Sequence, residues 1–319
     1  MRAFQVNELG KNPQLADVLI PEPKEGEVRV KIHACGLNFA DLLLVKGEYQ
    51  EKPLLPFTLG IEVAGLVEAC GPGVKHPAIG SRIAVLGNSG GLAEAGIFPA
   101  ERCLPIPDAM PFTDAAAFQV AYGTSHLALT QRAMLKKGDT LLVLGAAGGV
   151  GLTAVEIGKA LGATVIACAR GDDKLAAAKS AGADHLIDSE TADITREVKA
   201  LGGADVVYDP VGGDQFTAAL RACNRGARML VIGFASGDVP PIPANILLVK
   251  NISVIGFYWG GYMALNPKAL MDSLVELMAW YSKGDLHPHI SNILPLEHAA
   301  DALELLRSRK STGKVVVTP

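Results

Sequence analysis

The run Leu144-Gly145-Ala146-Ala147-Gly148-Gly149-Val150-Gly151 follows an apolar segment, Thr140–Leu144, and opens a helix-like one, Leu152–Leu161. A chain that passes from strand to helix through so many glycines presents bare backbone N–H groups at a helix N-terminus. That arrangement suits the pyrophosphate of a dinucleotide. Read against the pattern G-x-G-x-x-G, the six positions are Ala146 to Gly151, with alanine in place of the first glycine. Gly148 then lets phosphate approach the backbone, Gly151 lets the helix pack on the strand, and Ala147, Gly149 and Val150 complete the cradle. A glycine motif alone is weak, so its setting decides.

The setting is a regular alternation of strand and helix. Six short runs rich in Val, Ile and Leu can be marked at Thr140–Leu144, Thr164–Ala169, His185–Asp188, Asp205–Asp209, Arg228–Phe234 and Ile252–Phe257. Helix-like segments lie between them: Leu152–Leu161 stops at Gly162, Lys174–Ala181 stops at Gly182, and Asp214–Cys223 follows a Gly-Gly turn. Continuous apolar strands separated by helices imply a parallel sheet covered on both faces. Six strands make a complete doubly wound α/β domain of the Rossmann type, expected over residues 119–257.

The flanks have a different texture. Val28-Arg29-Val30-Lys31-Ile32-His33 alternates apolar and polar residues, as a strand with one buried face does. Further apolar runs at Ile61–Val67 and Arg82–Leu86 make the first hundred residues β-rich, and Gly87–Gly91 reads as a loop. In the tail, Asn266-Pro267 caps a helix to about Ser282, closed by Gly284; Leu296–Ser308 is a second helix and Lys314–Val317 a last strand. With 319 residues, two domains are expected.

Composition removes several function classes. Lys plus Arg is 29 against 33 for Asp plus Glu, so no basic surplus invites nucleic acid. The longest uncharged stretch, Thr140–Val155, is short for a membrane span and broken by glycine. The N-terminal residues carry no apolar core of a secretory signal, so a soluble cytoplasmic protein is expected. The five cysteines (35, 70, 103, 168 and 223) are scattered, without a Cys-x-x-Cys pair for a disulfide framework or structural zinc.

The end of the second strand bears on which dinucleotide binds. An NAD site places Asp or Glu there to accept a hydrogen bond from the ribose 2′-hydroxyl. Here the residues are Ala169-Arg170-Gly171-Asp172-Asp173-Lys174. Arg170 and Lys174 flank the vacant acidic position and suit a 2′-phosphate, so NADPH is the expected cofactor. Asp172 and Asp173 can point away as the cap and first turn of the next helix.

Several motifs together resemble the medium-chain dehydrogenase/reductase superfamily. They are Cys35-Gly36 followed by Asn38-Phe39-x-Asp41, Pro56-Phe57-Thr58-x-Gly60, the glycine loop, Gly182-Ala183-Asp184-His185, Asp209-Pro210-Val211-Gly212-Gly213 and Lys314-Val315-Val316-Val317. Within it the chain is similar to the zinc-free quinone oxidoreductases, the zeta-crystallin-like branch. The resemblance spans nearly the whole chain. It implies a GroES-like β-rich domain built from both chain ends, residues 1–118 and 258–319, around the inserted cofactor domain. It also implies a homodimer through the edge of the Rossmann sheet.

In zinc-dependent members a Cys and a His-Glu pair hold the catalytic metal. The matching positions here are Asn38 and Ile61-Glu62, which cannot make a tetrahedral site. Glu62 is then expected to be structural, and Asp41 to pack or hydrogen-bond. Without a Lewis acid, alcohol oxidation gives way to hydride transfer onto an acceptor needing little activation. A quinone is one such small-molecule acceptor; an alkene conjugated to a carbonyl, as in an enoyl thioester or a 2-alkenal, is the alternative. Tyr49 falls where related enoyl thioester reductases carry a proton donor, and where quinone reductases line the pocket. The resemblance further implies cofactor contacts from Asn38, Thr124 and Arg309, while Gly233 and Phe234 at the end of the fifth strand and Phe257 after the sixth lie where a ligand crossing the strand C-termini would pass. A non-enzymatic NADPH-binding role, as in lens crystallins, is the reading from a different class.

Overall fold

The computed structural model describes every residue, Met1–Pro319. The chain divides into two compact units, Met1–Val120 with Pro288–Pro319, and Ala121–His287. The boundaries expected at 118/119 and 257/258 therefore fall at 120/121 and 287/288. The second shift has a physical cause. The helix Pro267–Lys283 buries Leu270, Leu274 and Leu277, and its Ser273 hydroxyl lies 2.8 Å from Nδ1 of buried His126. Trp280 meets the same imidazole edge-on at 5.3 Å. That side chain chemistry ties residues 267–283 to the second unit.

The first unit is a β-rich body with two sheets. In the strand Glu27–Gly36, Val28, Val30 and Ile32 are buried and alternate with more exposed neighbours, as the sequence pattern requires. It pairs with Glu62–Cys70 and Ala95–Pro99 on its two sides. The C-terminal strand Lys314–Thr318 runs antiparallel to it, with Val316 opposite Gly36 and Val317 opposite Cys35. The C-terminal strand thus joins the N-terminal region in one seven-stranded sheet, while Arg2–Val6 lies in a separate three-stranded sheet. The second tail helix runs from Ala299 to Arg307, after a tight turn at Leu296–His298.

The second unit is a six-stranded parallel sheet. Its strands are β1 (Thr140–Leu144), β2 (Thr164–Ala169), β3 (His185–Asp188), β4 (Ala204–Asp209), β5 (Cys223–Val231) and β6 (Ser253–Gly256). Their spatial order is β3-β2-β1-β4-β5-β6, so the order reverses between β1 and β4. Leu142, Val165, Ile166, Val207 and Met229 have no exposed surface, which explains why these strands read as unbroken apolar runs. The unit's longer helices are α1 (Gln119–Leu127, which begins at the end of the first unit), α2 (Gly149–Ala160), α3 (Gly171–Ser180), α4 (Ile194–Ala200), α5 (Gly213–Ala222), α6 (Ala244–Lys250) and α7 (Pro267–Lys283).

Four local boundaries differ from those expected. Helices α2 and α3 begin three residues before Leu152 and Lys174, because the first helical turn needs no intrahelical N–H partner and so tolerates glycine. Strand β5 ends at Val231 rather than Phe234, and β6 ends at Gly256 rather than Phe257. No helix is long and apolar enough to cross a membrane.

Candidate functional site

In the second unit, ligands of a doubly wound sheet lie beyond the strand C-termini where the order reverses, here between β1 and β4. The turn from β1 to α2 occupies that place. Gly148 is the N-cap of α2, extended at φ −79° and ψ 172°, and no side chain caps the helix. Gly148 is exposed, and a Cβ built on it would meet nothing nearer than 3.4 Å. A Cβ on Gly151, by contrast, would lie 2.2 Å from the Gly145 carbonyl oxygen. The loop and helix can close only around glycine there. The N–H groups of the first turn are left for an anion, and the cradle fits a pyrophosphate.

The wall beside this turn comes from the C-terminal end of β4. Asp209 is buried, and its Oδ1 accepts the N–H groups of Val211 at 2.7 Å and Gly212 at 2.9 Å. The other oxygen, Oδ2, is buried without a partner. Burial pushes this carboxyl up to about 6, against the opposing pull of its two backbone donors. Gly212 takes φ +74°, and the turn is laced to the segment after β5: Ala235 N–H donates to Pro210 O at 3.0 Å and Ser236 N–H to Val211 O at 2.9 Å. Gly233 and Phe234 lie in that segment, beyond the strand that was expected to contain them, and Phe234 is exposed. Phe257 follows β6, buried, with its ring 5.3 Å from Tyr262. Thr124 is buried on α1, and Ala147 is buried within the glycine turn.

At the end of β2, Arg170 is the N-cap of α3, and its side chain is 42% exposed. Its guanidinium lies 3.9 Å from the Glu190 carboxylate, which is more exposed still. Lys174 is half-buried one turn later. Asp172 and Asp173 both sit in the exposed first turn of α3, while Asp188 on β3 accepts from Gly171 N–H at 3.2 Å.

In the first unit, a buried charged cluster surrounds Asn38. Glu62 is fully buried; its Oε1 accepts from Val120 N–H at 2.9 Å, and its Oε2 from Asn38 Nδ2 at 2.9 Å and Lys314 Nζ at 2.8 Å. Lys314 Nζ also donates to Asn38 Oδ1 at 2.7 Å, and Asn38 Nδ2 donates to Gly36 O at 3.3 Å. Both amide hydrogens of Asn38 are thereby engaged within the unit. Asp41, also fully buried, accepts Asn38 N–H at 2.8 Å, and burial pushes its carboxyl up to about 7. Tyr49 is half-buried after the helix Phe39–Lys46, packed on a core that includes Phe4, Leu44 and Phe57. Arg309 sits at φ +56° just past the helix Ala299–Arg307. Its N–H donates to Leu306 O and that of Lys310 to Leu305 O, both at 3.1 Å, which makes a left-handed helix stop usually filled by glycine.

Residues 24–108 match the alcohol dehydrogenase GroES-like domain, and residues 149–279 match the zinc-binding dehydrogenase family. The chain is 39% identical over 313 residues to quinone oxidoreductase-like protein 2 of Bos taurus, covering 97% of this chain and 90% of that one. It superimposes on the Thermus thermophilus quinone oxidoreductase, solved with and without NADPH, with a TM-score of 0.88 at 35% identity. With the Escherichia coli quinone oxidoreductase complexed with NADPH the TM-score is 0.90 at 30% identity, each chain covered in full. The chain belongs to the quinone oxidoreductase branch of the medium-chain dehydrogenase/reductase superfamily. Its two matched regions bear the alcohol dehydrogenase and zinc-binding names, so the fit of zinc needs testing on the residues themselves. Asn38 offers an amide already engaged by an ammonium, Ile61 is buried and apolar, and Lys314 places a cation 2.8 Å from Glu62. These groups do not fit a tetrahedral zinc ion.

Lys314 is the residue that the sequence reading missed as part of this cluster. A lysine leading an apolar strand, Lys314-Val315-Val316-Val317, was the available signal. Its carboxylate partner lies 252 positions away, beyond any local pattern.

Proposed function

We propose that the protein is an NADPH-dependent reductase of quinones. The observation that carries this reading is the uncapped glycine turn at the reversal of strand order, with Arg170 at the end of β2 where an NAD site needs a carboxylate. NADPH in related solved structures from Thermus thermophilus and Escherichia coli supports it.

In this reading the N–H groups of Gly149, Val150 and Gly151 hold the pyrophosphate, and Ala147 and Gly148 leave room for it. Arg170 and Lys174 take the 2′-phosphate. Asn38, Thr124, Gly233, Phe234, Phe257 and Arg309 supply further cofactor contacts. The Asn38 amide hydrogens are engaged, so its contribution falls to Oδ1 or to surface contact. Arg309 has a supporting observation of its own. A non-glycine residue in the left-handed region costs about 1–2 kcal/mol, and strain of that kind concentrates at functional sites.

NADPH supplies a hydride when bound. A quinone takes the resulting negative charge onto oxygen, where water can deliver the protons, so this chain needs no dedicated acid. Tyr49 then lines the acceptor pocket. Its phenol favours one second reading, reduction of an alkene conjugated to a carbonyl, in which it would protonate the α-carbon. Zinc has no part in either reading, because Lys314 already neutralises Glu62; stoichiometric zinc in the purified protein would contradict that. We also infer a cytoplasmic homodimer joined through β6. That strand pairs with β5 alone, and Leu248 and Val249 on neighbouring α6 are exposed. The deciding experiment is the initial rate of NADPH consumption against a panel of quinones, 2-alkenals and enoyl thioesters. Quinones should give the highest kcat/KM; a clear preference for either alkene class would replace this reading with the second.

A further inference from the structure

The first turn of α2 has an unsolved mechanical problem. Three of the four residues Gly148–Gly151 are glycine, and no side chain caps the helix. Glycine restricts its own backbone least, so such a turn frays unless something outside it holds it. Beneath it lies a chain of three hydroxyl groups in an otherwise apolar core. Tyr208 Oη, at the end of β4, is 2.9 Å from Ser125 Oγ on α1, which is 2.8 Å from Thr153 Oγ1 on α2. Tyr208 and Ser125 are completely buried and Thr153 nearly so.

The chain of hydroxyls ends on the glycine turn. Ser125 Oγ donates to Val150 O at 3.0 Å. Thr153 Oγ1 reaches Ala121 O at 3.0 Å, Val150 O at 3.1 Å and, more weakly, Gly149 O at 3.4 Å. Each hydroxyl has a single proton, and one assignment puts a proton in both oxygen–oxygen contacts: Tyr208 and Thr153 donate to Ser125, and Ser125 donates to Val150 O. Burial pushes the Tyr208 phenol well above its ordinary value, so it stays a donor. Nothing in apolar packing calls for these hydroxyls, since Phe, Ala and Val would fill the same volumes without polar atoms to satisfy.

We propose that Tyr208, Ser125 and Thr153 are positioning residues that grip the first turn of α2 from inside and hold its N–H groups in place for phosphate. Because Ser125 follows Thr124 on α1, the same chain links the turn to a second candidate cofactor contact. The proposal rests on the cofactor reading above.

Thr153→Val keeps the shape and removes the hydroxyl; Thr153→Ser keeps the hydroxyl and serves as the rescue. Two readouts are needed. Amide hydrogen exchange at residues 152–154, whose helical acceptors lie in the first turn, should quicken at least tenfold in Thr153→Val and return toward wild type in Thr153→Ser. The Kd and KM for NADPH should rise about three- to tenfold in Thr153→Val, with kcat at saturating NADPH within twofold and the KM for quinone unchanged. Tyr208→Phe should move both readouts in the same direction. Unchanged exchange, or faster exchange with NADPH affinity within twofold of wild type, would overturn the proposal. A wild-type protein that binds no NADPH would instead sink the cofactor reading, and the exchange rates would still decide whether the hydroxyls grip the turn.

Discussion

Replacing Arg170 with alanine tests the choice of dinucleotide at one side chain. A hydrogen bond to a charged group contributes roughly 1.5–3 kcal/mol, and each 1.4 kcal/mol is tenfold in affinity. The Arg170 side chain is 42% exposed, so solvent screening places it at the low end of that range. Arg170→Ala should therefore weaken NADPH about tenfold, and Arg170→Ala with Lys174→Ala about a hundredfold if the two act independently. NADH, without the 2′-phosphate, should change less than twofold in either variant. The structure adds a sign test. Glu190 sits 3.9 Å from Arg170 and competes with phosphate for it. An exposed pair of this kind is worth about 0.2–1 kcal/mol, so Glu190→Gln should tighten NADPH by a factor of about 1.4 to 5 and leave NADH alone. Titration of both nucleotides by tryptophan fluorescence at low and high salt measures all of this. Equal losses for NADPH and NADH in Arg170→Ala would show that this side chain does not recognise the 2′-phosphate.

Other predictions concern stability and chemistry. Lys314→Met should destabilise the protein by about 3–5 kcal/mol in urea unfolding by stranding the buried Glu62 carboxylate, and Glu62→Gln with Lys314→Met should cost clearly less than the sum of the singles; additive losses under about 1 kcal/mol would show the pair to be uncoupled. Asp209 has a folded value of about 6 against 3.8, so its contribution is fully present below 3.8 and is lost as pH rises through 6. Asp209→Asn, which cannot titrate, should therefore gain about 1.4 kcal/mol on wild type between pH 5 and pH 8, and no relative gain would contradict the buried-carboxyl reading. Tyr49→Phe should lower kcat on the best quinone less than about tenfold; a fall of a hundredfold or more with NADPH affinity intact would make Tyr49 a proton donor and favour the alkene chemistry.

Much of the second unit was legible because a parallel sheet buried on both faces writes itself as continuous apolar runs. Strands β1, β2 and β3 match their runs residue for residue. Helix starts were less legible, since Gly149 and Gly171 look like loop residues yet are tolerated in a first turn. That the second compact unit runs on past residue 257 to His287 was not legible, because the face of Pro267–Lys283 that packs on His126 cannot be assigned to a partner from periodicity alone. The glycine cradle was readable as a local motif. Two features were not. Lys314 meets Glu62 only through the pairing of the last strand with Glu27–Gly36. Tyr208, Ser125 and Thr153 come from three elements, and each alone is an ordinary residue.

Hydride delivery from NADPH to a quinone can be watched in an anaerobic single turnover. Protein loaded with one equivalent of NADPH is mixed with excess p-quinone, and nicotinamide and quinone absorbance are followed together. Both should decay at the same rate, with one quinone consumed per NADPH and no added metal. NADPH that stays reduced with every quinone, while an enoyl thioester or 2-alkenal oxidises it, would contradict the account.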